Sequence, residues 1–565
     1  MAKKINGKEY EAWSREELIK EIVKIKSTTY GLVWHRDLPE EKIDILINPD
    51  ARTPSEMFPN EMTGKPFPVL KEVKSKAIES DKSKLVNLLI EGDNYHSLAV
   101  LNFTHREAVD LIYIDPPYNT GNNDFIYNDK FVDKEDSFRH SKWLSFMEKR
   151  LKLARFLLKD TGAIFISIDD HEQAPLKMLC DEIFGEENFV ATIIWQHSVQ
   201  PKGYTDTFSV HHNYILCYQK SDQFELNALD RTEEHNKNYS NPDNDPRGFW
   251  RSGDVRNALY RPNLIYEIKT PSEKIIKPPE NGWRWSKETI FEKIKSGEII
   301  FSKDETRIVR KIYLDTLEGR AAETIWFGKD VGTTREAAQE LKDFFNGDIT
   351  FDTPKPSRLI KQIVKLSKNH NAVVLDFFAG SGTTGQAVLD LNKEDGGKRN
   401  FILCTNNGDE KSEHKIASEI CYPRVKKVIS GYKNQKGEKV EGLGGNLKYY
   451  KTDFVEAEPT DTNKRKLVKE STEMLCILEN AFELVQEEKE FKIFKNTDKY
   501  IGVIFYDDAI EDYKKAIKKI DGHFNTYVFS MNDKIHTEKF DDILHKVKLC
   551  AIPDVILKVY REIFK

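Results

Sequence analysis

Cysteine is scarce in this chain, and its cysteines stand far apart. The 565 residues contain six, at Cys180, Cys217, Cys404, Cys421, Cys476 and Cys550. No two of them form a Cys-x-x-Cys pair, which disfavours both a disulfide framework and a cysteine-ligated zinc site. We therefore expect buried, reduced thiols and no bound metal.

Long apolar runs are also absent. No stretch is long enough to cross a membrane, and the N-terminus, MAKKINGKEY, lacks the apolar core of a signal peptide. With 39% hydrophobic and 32% charged residues, the chain is expected to be a soluble, cytoplasmic protein without a membrane partner. The net charge of −6 argues against a protein that coats nucleic acid without specificity, but it does not exclude a local basic cleft.

Three patterns that would indicate other enzymes are missing or weak. The chain has no Gly-x-x-x-x-Gly-Lys-Ser/Thr loop, which disfavours a nucleoside triphosphatase. Glu267-Ile268-Lys269, downstream of Pro242-Asp243, superficially suggests a nuclease, yet Glu-x-Lys is expected by chance in a chain so rich in both residues. His211-His212-Asn213 leads directly into an apolar strand and has no partner ligands at metal-site spacing, so we interpret it as structural.

Strands alternate with helices in two separate parts of the chain. This alternation predicts an α/β fold with a doubly wound, mostly parallel sheet, and the length predicts several domains. The predicted segments are an N-terminal arm (1–80), a first α/β half (81–220), an irregular insert (221–350), a second α/β half (351–430), a connector (431–470) and a small C-terminal α/β module (471–565).

The sequence Asp115-Pro116-Pro117-Tyr118 closes the apolar run from Val109 to Ile114. That run is short and rich in β-branched and aromatic residues, so it predicts a buried strand that stops abruptly at the prolines. Each proline lacks a backbone N–H and restricts the residue before it to extended geometry. A carboxylate, a rigid carbonyl and an aromatic ring are thus expected at the carboxyl end of a strand, where open α/β sheets bind ligands.

A second candidate site follows the predicted strand from Ala372 to Asp376. The next residues, FFAGSGTT, include Phe378, Gly380, Gly382 and Thr383 and lead into a helix. Glycines let the backbone approach a ligand closely, and a helix N-terminus offers free N–H groups to a carboxylate or phosphate. Taken alone the signal is weak, because small residues at a strand–helix turn also serve packing.

Together the two stretches suggest methyl transfer to an exocyclic amine. The Asp115 carboxylate and the Pro116 carbonyl can hold both hydrogens of a nucleobase amine, and Tyr118 can stack on the flipped-out base. An electrophile beside them, the sulfonium methyl of S-adenosyl-L-methionine, can then be attacked in line, with catalysis by positioning and electrostatics. The chain has no Pro-Cys pair of the kind that cytosine C5 chemistry requires.

The irregular insert mixes aromatic residues with arginines. Arginine can read guanine edges or pair with phosphate, and flat rings can stack on bases, so we predict contact with DNA. The alternative is that these residues only build a small irregular domain. The candidates for DNA contact are Trp250, Arg251, Arg256, Arg261, Trp283 and Arg284.

The set of motifs resembles the amino-methylating DNA methyltransferases of the β class, in which Asp-Pro-Pro-Tyr precedes Phe-x-Gly-x-Gly. It is most similar to the modification (Mod) subunit of type III restriction–modification systems, over roughly residues 80–450. The stretches that narrow the likeness are Ile114–Asp129 (IDPPYNTGNNDFIYND), Gly248–Asp254 (GFWRSGD), Tyr266–Lys277 with Trp283-Arg284-Trp285, and Ile416–Lys426 (IASEICYPRVK).

The resemblance implies roles for several residues. The insert would be the target-recognition domain, Asp93 with Asn94 would lie at the adenine of the cofactor, and the Gly380 turn would surround its methionine end together with Lys355, Pro356 and Ser357. Members usually carry an acidic residue after the next strand, to hold the ribose hydroxyls. Here that place reads Cys404-Thr405-Asn406-Asn407, so an asparagine amide would have to substitute.

The resulting hypothesis is a site-specific DNA adenine-N6 methyltransferase (EC 2.1.1.72) that acts on double-stranded DNA. Cytosine-N4 methylation is the chemical alternative, and a mainly DNA-recognising subunit for an ATP-dependent restriction partner is the alternative from another class. The resemblance also implies a homodimer and a helicase–nuclease partner. The recognition sequence and the methylated strand cannot be read from the chain.

Overall fold

The structure is a computed structural model that describes residues 14–16, 18–19, 34, 66–81, 84–121, 124–127, 130–133, 135–201, 207–347, 351–408, 414–496, 499–530 and 537–564. Most of the predicted N-terminal arm lies outside these residues. The described chain forms two compact units: the large unit, residues 1–225 with 323–565, and the small unit, residues 226–322.

The strands and helices are numbered in chain order. The strands are β1 Phe67–Glu72, β2 Val86–Glu91, β3 Val109–Ile114, β4 Ile126–Tyr127, β5 Lys130–Phe131, β6 Leu158–Ile168, β7 Phe189–Gln196, β8 His212–Gln219, β9 Trp250–Gly253, β10 Ile268–Lys269, β11 Ile275–Ile276, β12 Ile299–Phe301, β13 Ile308–Tyr313, β14 Ile325–Trp326, β15 Val373–Asp376, β16 Asn400–Thr405, β17 Gly431–Lys433, β18 Lys439–Glu441, β19 Asn446–Val455, β20 Glu483–Glu487, β21 Phe491–Lys495, β22 Tyr500–Ile504, β23 Phe524–Val528 and β24 Val547–Cys550. The α-helices are α1 Asn94–Thr104, α2 Arg139–Leu157, α3 Gln173–Phe184, α4 Glu233–Asn236, α5 Lys287–Lys295, α6 Gly328–Val331, α7 Thr334–Phe344, α8 Ser357–Lys365, α9 Thr383–Asp395, α10 Tyr422–Ser430, α11 Asp461–Leu478, α12 Ile510–Ile517, α13 Thr537–Phe540 and α14 Asp554–Phe564.

In the described part of the chain, the largest sheet has ten strands in the order β1-β19-β2-β16-β15-β3-β6-β8-β7-β14. The six strands from β19 to β6 all run parallel, while β1 and β8 pair antiparallel with their neighbours. Their side chains are buried on both faces, as the apolar runs of β3 and β6 require. The predicted doubly wound, mostly parallel α/β sheet is confirmed.

The carboxyl ends of four neighbouring strands meet at one edge of this sheet. The strands β2, β16, β15 and β3 are adjacent and parallel, so the residues that follow them lie side by side. Asp115 follows β3, and the glycine turn follows Asp376 at the end of β15. Two sequence motifs about 260 positions apart are therefore brought to one place.

The segment boundaries differ from the prediction because the sheet recruits strands from the outer segments. The predicted arm contributes β1, which pairs with β19 from the predicted connector. At the other edge β14 pairs in parallel with β7, so residues 323–347 belong to the large unit. The insert is thus narrower, residues 226–322, than the predicted 221–350.

The C-terminal module is an α/β unit with a sheet ordered β20-β21-β22-β23-β24. It does not stand apart, because Ile501, Phe529 and Tyr560 share the hydrophobic core of the large unit. None of the helices in the described ranges is long and apolar enough to cross a membrane.

Candidate active site

The Asp115-Pro-Pro-Tyr118 turn is held rigidly at the end of β3. The indole N–H of Trp143, a fully buried residue of α2, donates to the Pro117 carbonyl at 2.7 Å. The Tyr118 hydroxyl donates to Asp115 Oδ1 at 2.9 Å. Burial and the adjacent Asp115 charge raise the pKa of Tyr118 well above its usual value, so the phenol stays a neutral donor.

The other oxygen of Asp115 is paired with Lys355. Lys355 Nζ lies 2.5 Å from Asp115 Oδ2 and 5.1 Å from the centroid of the Tyr118 ring. The Lys355 side chain is only 10% exposed, and Pro356 and Ser357 beside it are buried. The resemblance implied a place for Lys355 at the methionine end of the cofactor, whereas the structure places its ammonium on the candidate catalytic carboxylate.

The glycine turn after β15 needs glycine at two positions. Gly380 has φ +48° and Gly382 has φ +81°, in the left-handed region that favours glycine. A Cβ on Gly380 would lie 3.0 Å from the Phe351 ring, and one on Gly382 would lie 3.0 Å from Cys421 Sγ. The helix α9 begins directly afterwards, at Thr383, and its N-cap residue Gly382 has no side chain that could cap the helix. The turn and the helix end therefore present backbone N–H groups to the edge of the sheet.

Asp376 is buried beneath this turn. Its Oδ1 accepts from the Phe378 N–H at 3.0 Å, and its Oδ2 accepts from the Thr384 hydroxyl at 2.5 Å. Burial raises the pKa of Asp376 to about 7, and the nearby Asp115 charge adds to the effect, while these two hydrogen bonds oppose it. This carboxyl group therefore changes its charge near neutral pH.

A buried arginine that sequence reasoning missed supports the same turn. Arg424, on α10, donates to Ser381 Oγ at 2.9 Å and to Thr383 Oγ1 at 2.7 Å, and its side chain is fully buried. Glu340 lies 3.9 Å from Arg424 and accepts from the Ser357 N–H and hydroxyl. Arg424 falls within the family-like stretch IASEICYPRVK, but no pattern there assigns it a role.

Asp93 and Asn94 are fixed by another buried arginine. Asp93 caps α1 through the Tyr95 N–H, and Arg150 Nη2 donates to its Oδ1 at 3.2 Å. Asn94 accepts from Arg150 Nε at 2.5 Å and donates to the Phe377 carbonyl at 2.9 Å. Asn94 therefore ties α1 to the turn after β15, while the Asp93 side chain remains 36% exposed.

The described residues directly after β16, Asn406 to Gly408, include no acidic residue, but a carboxylate at the end of the neighbouring strand β2 reaches Asn407. Asn407 Nδ2 donates to Glu91 Oε1 at 2.7 Å, and Lys451 and Tyr449 also bind this carboxylate. Asn406 is exposed at the strand end. The predicted ribose contact by an asparagine amide stays a prediction.

Asn119, immediately after Tyr118, belongs to a buried polar cluster. Its backbone is left-handed, with φ +57°, and its Nδ2 donates to Glu172 Oε1 at 2.5 Å. His140 Nδ1 also lies 2.6 Å from that oxygen. Among the described residues, Asn119 Oδ1 and Glu172 Oε2 are buried and have no hydrogen-bond partner, and burial raises the pKa of Glu172.

In the small unit, the four arginines predicted to contact DNA are exposed, whereas the two predicted tryptophans are half-buried or buried. Arg251, Arg256, Arg261 and Arg284 are exposed, and Arg256 pairs with Asp254 at 3.0 Å. Trp250 is half-buried, and its indole donates to Asp243. Trp283 is only 3% exposed and packs in the core of this unit with Ile268 and Ile290. The expectation that Trp283 stacks on DNA is therefore wrong, because the small unit needs its ring as core.

Two of the predicted arginines, Arg256 and Arg261, lie on one loop of the small unit, residues 255–264, which we call the finger. Backbone hydrogen bonds of 2.8 to 3.1 Å clamp its base to residues 281–284. Leu259 and Tyr260 on the finger are 66% and 62% exposed. Large apolar side chains held out on an ordered loop often mark an interaction site.

The geometry agrees with comparisons to known proteins. A DNA methylase family model, N6_N4_Mtase, matches residues 109–419, more than half of the chain, and the chain belongs to this family. The resemblance predicted from the motifs is thereby confirmed at the level of the family.

The Mod subunit of the type III restriction-modification enzyme StyLTI from Salmonella typhimurium strain LT2 is 38% identical over 377 residues, which is 61% of this chain and 57% of that protein. The type II methyltransferase M.KpnI from Klebsiella pneumoniae is 36% identical over 378 residues, covering 62% of this chain and 89% of the relative. Among solved structures, the PvuII DNA methyltransferase (cytosine-N4-specific) is 12% identical, covers 57% of this chain and 83% of its own, and has a TM-score of 0.30.

Proposed function

We propose that this protein transfers the methyl group of S-adenosyl-L-methionine to the N6 amine of an adenine flipped out of double-stranded DNA. The observation that carries the proposal is the adjacency of β3 and β15, which pair in parallel. Their carboxyl ends bring the Asp115–Tyr118 turn and the glycine turn to one edge of the sheet. Direct methyl transfer requires that the carboxylate that binds the amine and the turn that binds the cofactor lie next to each other.

Asp115 and its neighbours would activate the amine. An adenine amine is a poor nucleophile because its lone pair is delocalised into the ring. Hydrogen bonds to the Asp115 carboxylate and the Pro116 carbonyl favour the pyramidal geometry that attack requires. Tyr118 orients Asp115 through its neutral hydroxyl and offers its ring to the extruded base, while Pro117 keeps the turn rigid.

The residues of the glycine turn fit the cofactor, which supplies an electrophilic methyl group when bound. The left-handed glycines and the uncapped N-terminus of α9 leave donors for a carboxylate, and the buried Asp376 provides a countercharge to a cation. The residues proposed to hold the cofactor are Asp93, Asn94, Lys355, Pro356, Ser357, Asp376, Phe378, Gly380, Gly382 and Thr383.

Removing the Asp115 carboxylate tests the proposal. Asp115→Ala should lower tritium transfer from the labelled cofactor to DNA by about 10³-fold, because amine activation is lost. Calorimetric binding of S-adenosylhomocysteine should remain. Asp170→Asn, which alters an exposed carboxylate after β6, serves as the control. Full transfer activity in Asp115→Ala would refute the assignment.

Base-resolved sequencing of DNA from cells that express the protein would identify the modified base and the recognition sequence. N6-methyladenine supports the proposal, whereas N4-methylcytosine would favour the chemical alternative, which the same amine geometry could serve.

The partners are proposed from the relatives. Since StyLTI Mod is a subunit of a type III restriction-modification enzyme, we propose that this chain can join a restriction subunit. The motif resemblance adds the proposals that it forms a homodimer and that the restriction subunit is a helicase–nuclease. Light scattering of the purified protein, alone and with that subunit, would measure both associations, and a strictly monomeric mass would contradict the dimer. A chain that only recognises DNA for such a partner would bind DNA but show no methyl transfer.

A further inference from the structure

Lys355 occupies the hydrogen-bonding position that the proposed function reserves for the target amine. Its ammonium donates to Asp115 Oδ2 at 2.5 Å and lies 5.1 Å from the Tyr118 ring centroid. The proposed substrate amine needs the same two neighbours, a carboxylate oxygen of Asp115 and the vicinity of that ring. A carboxylate oxygen can accept two hydrogen bonds, but an ammonium on Asp115 Oδ2 and beside the Tyr118 ring takes up space that the amine of a base stacked on this ring would need, so the lysine and the substrate compete for this place.

We propose that Lys355 is a gating residue that holds Asp115 until the cofactor is present, and then releases it to the target amine. The inference rests on the proposed function, because Asp115 must be the residue that binds the amine. Lys355 acts through Asp115 and is therefore a positioning residue. No covalent step is involved, and the ammonium only exchanges one hydrogen-bonded partner for another.

The release requires a second anion near Lys355. The Lys355 side chain is only 10% exposed, so leaving its ammonium without a partner carboxylate would cost considerable free energy. The ammonium therefore needs another carboxylate when it leaves Asp115. The cofactor has one on its amino-acid end, and Ser357, two residues from Lys355, begins α8 beside the network that supports the glycine turn. Competition for Lys355 between the cofactor carboxylate and Asp115 would couple cofactor binding to base entry.

Two ligands that differ in the amino-acid end separate this coupling from simple cofactor binding. S-adenosylhomocysteine carries the carboxylate, whereas 5′-methylthioadenosine retains the adenosine and the thioether but lacks it. Wild-type protein should bind S-adenosylhomocysteine at least about tenfold more tightly, because an ion pair with Lys355 is available only to that ligand. Lys355→Met should lose most of this preference in calorimetry, while Lys361→Met, which removes another ion-paired lysine of the same region, should keep it.

Base entry provides the decisive measurement. A duplex of the recognition sequence, once mapped, would carry 2-aminopurine at the methylated adenine, and its fluorescence reports extrusion of the base. In wild-type protein S-adenosylhomocysteine should increase the signal several-fold more than 5′-methylthioadenosine does. In Lys355→Met the two ligands should give equal signals, because Asp115 is free in both cases.

The proposal that Lys355 gates Asp115 would be overturned by equal fluorescence with the two ligands in wild-type protein. It would also be overturned if the fluorescence difference between the ligands were unchanged in Lys355→Met. Lys355→Arg, which keeps the cation, should retain the difference and so separates loss of charge from loss of folding. The proposed function fails separately, through absence of tritium transfer by the wild-type protein, which is measured first.

Discussion

The pH dependence of cofactor binding should report the charge of Asp376. Burial raises the pKa of this carboxyl group to about 7, although it accepts hydrogen bonds from the Phe378 N–H and the Thr384 hydroxyl. A cofactor with a sulfonium charge should bind best when Asp376 is ionised. The ionised fraction of a group with this pKa rises from about 0.1 at pH 6 to about 0.9 at pH 8, so affinity should rise about tenfold over that interval.

Isothermal titration calorimetry in buffers of different ionisation enthalpy measures both the affinity and the accompanying proton release. In Asp376→Asn the rise with pH should disappear, because the amide does not titrate. Its Oδ1 and Nδ2 can still bond the Phe378 N–H and the Thr384 hydroxyl, which can reverse its role. Asp390→Asn is a matched control, because Asp390 lies on α9 and burial raises its pKa as well. A pH-independent affinity in wild-type protein would refute the reasoning.

The same group gives a stability signature in protein without cofactor. Because the folded-state pKa lies above the unfolded value of about 3.9, the folded state binds the proton more tightly. Its contribution to stability is present in full at low pH and is lost as the pH rises from about 4 to about 7, by about 4 kcal/mol in all. The melting temperature of the wild-type protein should therefore fall relative to that of Asp376→Asn as the pH rises through this window.

Two further predictions concern groups outside the cofactor cradle. Glu172→Gln should keep the stability, because the amide can accept from Asn119 Nδ2 and donate to Asn119 Oδ1, whereas Glu172→Ala should lose about 1–3 kcal/mol by leaving buried polar atoms unpaired. A chemical denaturation series measures both, and equal losses in the two variants would contradict this pairing with Asn119. Alanine at Leu259 and Tyr260 of the finger should weaken duplex binding in fluorescence anisotropy by about tenfold, since apolar and aromatic tips insert between or stack on bases. Ile275→Ala, at another exposed apolar residue of the small unit, should have little effect, and an equal loss there would argue against the finger.

The two chemical motifs could be predicted from the sequence because each is local. A short apolar strand followed by Pro-Pro or by Gly-x-Gly fixes its own backbone and the place of the next polar side chain. Parallel pairing of β3 with β15 then brings the motifs together, as the alternation of strands and helices indicated. Family membership followed from the same residues.

The side-chain contacts that hold the two motifs in place could not be predicted, because they join residues that are distant in the chain. Lys355 meets Asp115 across 240 residues, and Arg424 reaches Thr383 from another helix. Nothing in helical spacing distinguishes the buried Arg150 from an exposed basic residue on α2. Trp283 was misassigned because its local sequence is ambiguous. A tryptophan beside an arginine fits a stacking surface and a small hydrophobic core equally well.

The two carboxyl groups at this edge of the sheet, Asp115 and Asp376, have different hydrogen-bond partners, and the charge of Lys355 affects both. Asp115 has a cation and a hydroxyl donor, while Asp376 has two hydrogen bonds in a dry environment. The charge of Asp115 raises the pKa of Asp376, and that of Lys355 lowers it. Withdrawing the ammonium from Asp115 would therefore also make Asp376 harder to ionise, unless another cation arrived. The sulfonium of the cofactor is such a cation, so its binding can compensate Asp376 at the moment when Asp115 is released to the amine.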